Sequence, residues 1–319
     1  MQIAHSRAER GWKGPRAAKP LVGRSGRVDG LHHGARVAQR RCPGRSRVRV
    51  HGEGRRLAHL GRRGSASILA RSLARSNDLS PTAWLRIGQS LRVDNRHIVP
   101  FLLEQGILIN IPQRLLFFFQ ERRLVTWYPI GVGRRDWPTA GGGFQIQVLE
   151  QRPTWDVPVS IQEEMKRHGE RVRTRVPPGP DNPLGDYWIG LGGSECGIHG
   201  TNAPASIYGF RTHGCMRLHP DDIADLFPRV SKGMTVQVVY EPVLLARDAG
   251  GAVFLEVNPD IYRRQGNAGE AVATLAERDG LRTALDSEAV ERTIARKEGL
   301  ARRVDGPVSP TPVRTRSYR

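Results

Sequence analysis

The sequence predicts a mainly β protein, a sandwich or barrel of short strands with one short helix set into it. Three observations support this for residues 105–241: the apolar residues fall in short strand-like runs, Gly and Pro punctuate those runs, and a single segment has helical spacing. ILINI and RLLFFF are β-type runs joined at Asn110–Gln113, the pattern of a hairpin. LVTWYPIGVG continues the series, and the Gly/Pro-rich RRDWPTAGGG after it must be loop. FQIQV alternates strictly, which puts Phe144, Ile146 and Val148 on one face and Gln145 and Gln147 on the other. YWIGL, CGIHG and MTVQVVY supply the remaining strands, and the Phe117–Phe119 triplet reads as core with one exposed ring. The helix follows His219: Pro220 suits its first position, Asp221 and Asp222 its positive end, and Ile223, Leu226 and Phe227 its buried stripe, before Pro228 stops it.

The flanks differ in texture. The chain has a formal net charge of +19, which first suggests a nucleic-acid partner. Nineteen of its 50 basic residues and only three of its 31 acidic ones fall within residues 1–76, so the excess belongs to one arm. Residues 1–66 are rich in Arg and Gly, carry no periodicity and have few aromatics for base stacking; a disordered basic arm is expected, with no nucleic-acid role. In residues 67–100, SILARSLARS reads as a helix and LRIGQSLRVD as a strand with Leu91 and Val93 alternating. That helix, turn and strand resemble the second half of a LysM module, a small glycan-gripping fold. Beyond Pro242, AVFLEV is a further strand candidate, residues 268–300 show helical spacing at Val272, Leu275, Ala276, Val290 and Ile294, and the tail GPVSPTPVRTRSYR reads as disordered. No run of eighteen apolar residues occurs, so no membrane span is expected.

The chemistry concentrates in residues 198–220, where His199, His213, Cys215 and His219 crowd together. A zinc site uses the same residue types, but the spacing, without paired cysteines, fits no common zinc framework. Nucleophilic catalysis fits better. A free thiol of pKa ~8.5 is only a few per cent thiolate at neutral pH and needs a base or a positive neighbour. His199 can serve as that base, because the loop NAPASIYGF is long enough to fold back and bring it to Cys215. Gly214 removes a side chain beside the sulfur and lets backbone amides face a developing oxyanion, while Arg217 adds positive charge. Asp221 and Asp222 are first-turn residues, and His219 starts the helix without catalytic duty.

HGTNAPASIYGFRTHGCMRL resembles the signature of the L,D-transpeptidase family, a histidine followed at a short interval by Ser/Thr-His-Gly-Cys. His199 matches the first histidine, and Thr212, His213, Gly214 and Cys215 match the second block. The similarity continues through WYPIGVGRRDWPT, VPPGPDNPLGDYWIGL and HPDDIADLF, over about residues 105–260. The resemblance implies a β-sandwich catalytic domain, placed at residues 105–241, with residues 242–319 as an extension. It also implies peptidoglycan stem peptides as substrate and no metal or cofactor.

In that scheme Cys215 attacks the amide before a terminal D-alanine, and the acyl-enzyme passes to an amine. The amine belongs to another stem, giving a 3→3 cross-link, or to an outer-membrane lipoprotein; water in its place gives an L,D-carboxypeptidase. His199 acts as base, His213 orients the site, the amides of Gly214 and Cys215 form the oxyanion hole, and Arg217 holds the loop. Thr201, Thr212, Ser206 and Tyr208 complete the expected substrate-binding set. Arg217 stands where many members have Asn, and Cys196 is an extra thiol read as a small strand residue. A wall substrate implies the periplasm, although MQIAHSRAERGWKGPRAAKP has no apolar stretch of the kind a secretory leader needs.

Overall fold

The computed structural model describes residues 96–306 without interruption, together with short stretches between residues 36 and 93. Two of those stretches are strands within the basic arm, β1 (Arg36–Ala38) and β2 (Ser46–Arg49), and they revise the expectation of an arm without structure at these positions. Each is too short for sequence alternation to register. They pair antiparallel with β4 (His97–Val99) and β3 (Ser90–Val93) respectively. Leu91 is buried with Ala74, Leu79 and Leu85 in a small cluster. The helix expected within 67–76 lies outside the described residues apart from Ala74, as does the tail beyond 306.

The body is built from β5 (Gly106–Asn110), β6 (Leu115–Gln120), β7 (Arg123–Gly133), β8 (Gly142–Gln151), the short pair β9 (Trp155–Asp156) and β10 (Arg175–Val176), β11 (Tyr187–Leu191), β12 (Gly197–His199), β13 (Phe210–Thr212), β14 (Met216–Leu218) and β15 (Thr235–Val239). The two longest strands make it a sandwich. The first half of β7 pairs with β6 and its second half with β14; β8 pairs with β15 at one end and with β11 at the other. Both strands therefore pass from one layer to the other, and the pairings close into a circuit. Ile107, Ile109, Leu116, Phe118, Ile130, Ile189, Ile198, Met216 and Val236 fill the space between the layers. Burying each such side chain contributes about 1.5–3 kcal/mol.

Two details differ from the sequence reading. Val148 is exposed, because the β8–β11 register slips between Gly190 and Leu191; Ile146 stays inside, and Leu149 takes the next inward place. No ring of Phe117–Phe119 is exposed. Phe118 faces the sandwich core, while Phe117 and Phe119 pack on the outer face under Val99, Phe101, Leu102, Leu103 and Trp127.

The body also contains a second helix, α1 (Val159–Arg167), in addition to the expected α2 (Pro220–Leu226). In α2, Ile223 and Leu226 are buried and Asp221 and Asp222 occupy the first turn. The His219 ring caps that turn, its Nδ1 accepting from the Asp221 amide. Downstream, β16 (Val243–Arg247), β17 (Val253–Val257) and β18 (Arg302–Arg303) form a separate sheet. The helices α3 (Ala268–Arg278) and α4 (Ser287–Arg296) pack on it through Val272, Ala276, Val290 and Ile294. No helix among the described residues is long and apolar enough to cross a membrane.

Candidate active site

Strand alternation builds the site. In β12, Ile198 points into the core and His199 out; in the adjacent β14, Met216 and Leu218 point in and Arg217 out. The two strands run parallel, with His199 opposite Arg217 and Ile198 opposite Met216. Cys215, one step ahead of Met216, falls on the outer face with them, and Trp188 on β11 is the cross-strand neighbour of His199. The Trp188 ring approaches so closely that a Cβ on Gly197 would sit 2.7 Å from it. Trp188, His199, Cys215 and Arg217 therefore share one face and line one cavity of about 740 Å³.

His199 is 3% exposed. Its Nδ1 donates to the Gly200 carbonyl at 2.7 Å, which commits the proton to Nδ1 and keeps Nε2 as an acceptor. Burial and the Arg217 charge push its pKa down to about 3, against the pull of the Gly200 and Leu184 carbonyls, so the ring is neutral across the physiological range. A hydrogen bond with Cys196, together with burial, holds the Cys215 thiol well above the ordinary thiol range. The Gly197 amide and Arg217 oppose that shift by favouring the thiolate. The site thus rests as thiol plus neutral imidazole, with a cation ready for the negative sulfur.

His213 is held from outside the signature. Its Nε2 lies 2.5 Å from Glu164 Oε2 on α1, and Arg134 reaches the other carboxylate oxygen at 2.7 Å. Burial alone would raise the Glu164 pKa, but Arg134 and His213 together bring it below its ordinary value. The His213 pKa is lowered by burial, against the pull of Glu164. The ring nitrogen facing the carboxylate therefore carries the proton of a neutral imidazole. Trp137 packs on the same ring at 4.3 Å between centroids, and Arg134 lies over Trp137 at 4.7 Å.

The sequence reading missed α1 and Glu164, although the signals exist. Ile161 and Met165 stand four apart, and Lys166, Arg167, His168 and Gly169 form a typical helix end. α1 buries no residue of its own, so its stripe was too weak to read as core; its Ile161, Glu164 and Met165 instead form a cavity wall.

The other expected site residues separate into two groups. Thr212 lines the cavity, but its hydroxyl donates to the Cys215 carbonyl at 2.6 Å. The same oxygen accepts from the Gly214 amide at 3.2 Å, so the amide expected to face an oxyanion is engaged within the loop. Gly214 has φ +106°, a conformation that favours glycine, and its carbonyl accepts from Thr139 Oγ1 at 2.7 Å. Thr201, Ser206 and Tyr208 do not line this cavity. Thr201 Oγ1 accepts from the Ala203 amide, Ser206 Oγ donates to the Ala203 carbonyl, and the Tyr208 amide ties the loop to Ile130 on β7. They fold the loop rather than line the cavity.

Residues 104–238 match the YkuD family, described as the L,D-transpeptidase catalytic domain. The chain is 33% identical over 186 residues to the probable L,D-transpeptidase ErfK/SrfK of Escherichia coli strain K12, covering 56% of this chain and 58% of that protein. It is also 30% identical over 156 residues to the putative L,D-transpeptidase YkuD of Bacillus subtilis strain 168, covering 49% of this chain and 78% of that one. The chain thus spans somewhat over half the length of the E. coli relative. Among solved structures, the catalytic domain of the E. faecium L,D-transpeptidase aligns at 20% identity and a TM-score of 0.33, over 42% of this chain and 96% of that domain. On its sequence relationships, the chain belongs to the L,D-transpeptidase family.

Proposed function

We propose that this protein is an L,D-transpeptidase acting on peptidoglycan tetrapeptide stems outside the cytoplasmic membrane through a Cys215 acyl-enzyme. The observation that carries the reading is the placement of Cys215, His199 and Arg217 on one face of adjacent parallel strands, opening onto one cavity. His199 Nε2 takes the thiol proton as the sulfur attacks the carbonyl before the terminal D-alanine. The same ring then protonates the departing amine, and an acceptor amine reverses the sequence to release the cross-linked product. Arg217 stabilises the sulfur's negative charge, and His213, fixed by Glu164, holds the loop that carries the nucleophile.

Glu150, Glu170 and Glu195 line the cavity together with Arg134 and Arg217, and carboxylates in this mixed lining suit an incoming amine. That favours aminolysis, by a second stem or by an outer-membrane lipoprotein, over hydrolysis. The pairing of β2 with β3 and the Leu91 cluster support a LysM-like, wall-binding role for the residues before the body.

Mass spectrometry of tetrapeptide muropeptides incubated with the protein, with and without an added amine, tests the proposal. The expected result is D-alanine release together with an aminolysis product. Hydrolysis alone would make it a carboxypeptidase, and activity surviving Cys215→Ala would overturn the mechanism. His199→Ala is expected to lower turnover ~10²-fold or more as loss of the general base.

A further inference from the structure

Cys196 has no part in the reaction just described, yet its sulfur lies beside the nucleophile. Cys196 lies just ahead of β12 and Cys215 just ahead of β14, and the two strands run side by side in parallel, so both cysteines come to the same end of the pair. The Cys196 sulfur would be 3.0 Å from a Cβ on Gly214, so glycine at that position is what lets it lie against the backbone adjoining Cys215. It also sits 4.0 Å from the His213 carbonyl, and its own amide is anchored to Ser194 Oγ at 3.0 Å. Both thiols are free and half-buried, both line the cavity, and each shifts the other's ionisation.

We propose that Cys196 is a resolving thiol, and that a peroxide reaching the cavity converts the Cys215–Cys196 pair into a reversible disulfide. In the first step His199 Nε2 takes the Cys215 proton as the sulfur attacks hydrogen peroxide; the O–O bond breaks, the sulfur becomes a sulfenic acid, and the departing hydroxide recovers the proton as water. In the second step the Cys196 sulfur attacks the sulfenic sulfur and the hydroxyl leaves, taking the Cys196 proton as water. Two thiols are oxidised by two electrons and one peroxide is reduced to two waters. A lone active-site thiol meeting the same oxidant proceeds through sulfenic to sulfinic acid, which ordinary thiols do not reverse. Here a second thiol on the same cavity wall intercepts the sulfenic acid. The disulfide removes the nucleophile, and reduction restores it.

The test uses the full chain carrying Cys42→Ser, which leaves only these two thiols. The protein is exposed to a few equivalents of hydrogen peroxide, digested without reduction and mapped by mass spectrometry. The expected product is a peptide pair joined through Cys196 and Cys215, with loss of Cys215 alkylation that dithiothreitol reverses. With Cys196→Ser added, Cys215 is expected to collect sulfinic acid that dithiothreitol does not remove. Sulfinic acid on Cys215 with Cys196 intact, and no joined peptide, would overturn the proposal. The readout is thiol chemistry rather than turnover, so this result and the transpeptidase assay can fail independently.

Discussion

Glu164 and His199 show how single residues set the chemistry. Glu164 supplies the carboxylate that fixes the His213 tautomer, so Glu164→Gln leaves a hydrogen-bonding amide without the charge. A hydrogen bond to a charged group contributes about 1.5–3 kcal/mol, and each 1.4 kcal/mol is a factor of about ten in rate. Acylation of Cys215 is expected to slow ~10- to 100-fold in this variant, measured by single-turnover labelling with a carbapenem. His199 carries a pH signature. Its pKa lies near 3 in the fold and about 6.5 in an unfolded chain. Between those values the unfolded chain binds a proton that the native state refuses. The native state is therefore fully favoured above about pH 6.5 and loses stability as the pH falls towards 3, by up to ~1.4 kcal/mol per unit. Urea unfolding at stepped pH is expected to show a shallower acid decline for His199→Gln than for the unmodified chain; equal slopes would contradict the buried neutral ring. The cysteine and its histidines were legible because they lie within one short signature, whereas Glu164 reaches His213 across 49 positions.

The strands were legible as elements because alternation and Gly/Pro punctuation act locally. Their inside and outside were not always legible, since a bulge inverts the alternation at a point only the partner strand defines. That makes the β8 irregularity testable. Ile146→Ala removes a core side chain and is expected to cost about 2–5 kcal/mol. Val148→Ala, two positions along the same nominal face, is expected to stay within about 0.5 kcal/mol. Denaturant unfolding of both variants checks the pair, and equal losses would mean that strict alternation holds after all. Helix α1 was missed for a related reason. It is fixed by Glu164 and by lining the cavity rather than by a buried stripe, so its sequence reads like a loop.

The whole molecule depends on joints that no local pattern reveals. Glu256 on β17 is fully buried, accepting from the Ile98 amide at 2.7 Å, from Gln113 Nε2 at 2.9 Å and from Asn258 Nδ2 at 3.3 Å, with the His97 ring at 3.2 Å. Arg114 nearby is so buried that its pKa falls to about 10, with Tyr208 and Glu256 opposing the shift. Removing one partner from such a network leaves the others stranded, so Glu256→Ala is expected to cost about 3–5 kcal/mol. A thermal or denaturant midpoint measures this, and a near-neutral result would show that the C-terminal sheet does not brace the sandwich. The sequence carried the apolar run of β17 but not the role of its one acid, because its partners other than Asn258 lie some 140 to 160 positions upstream.

Tyr262 has a wider consequence. It lies beyond the residues 104–238 that match the family, yet its hydroxyl donates to the Gly133 carbonyl at 2.6 Å and accepts from the Thr139 amide at 3.1 Å. Thr139 in turn donates to the Gly214 carbonyl, next to Cys215. The stretch that carries the family match is therefore smaller than the stretch that shapes the loop bearing Cys215. Transplanting residues 104–238 into another member's frame would bring the reactive groups without this outer brace, and swaps whose boundary falls after residue 262 should keep loop geometry that shorter swaps lose.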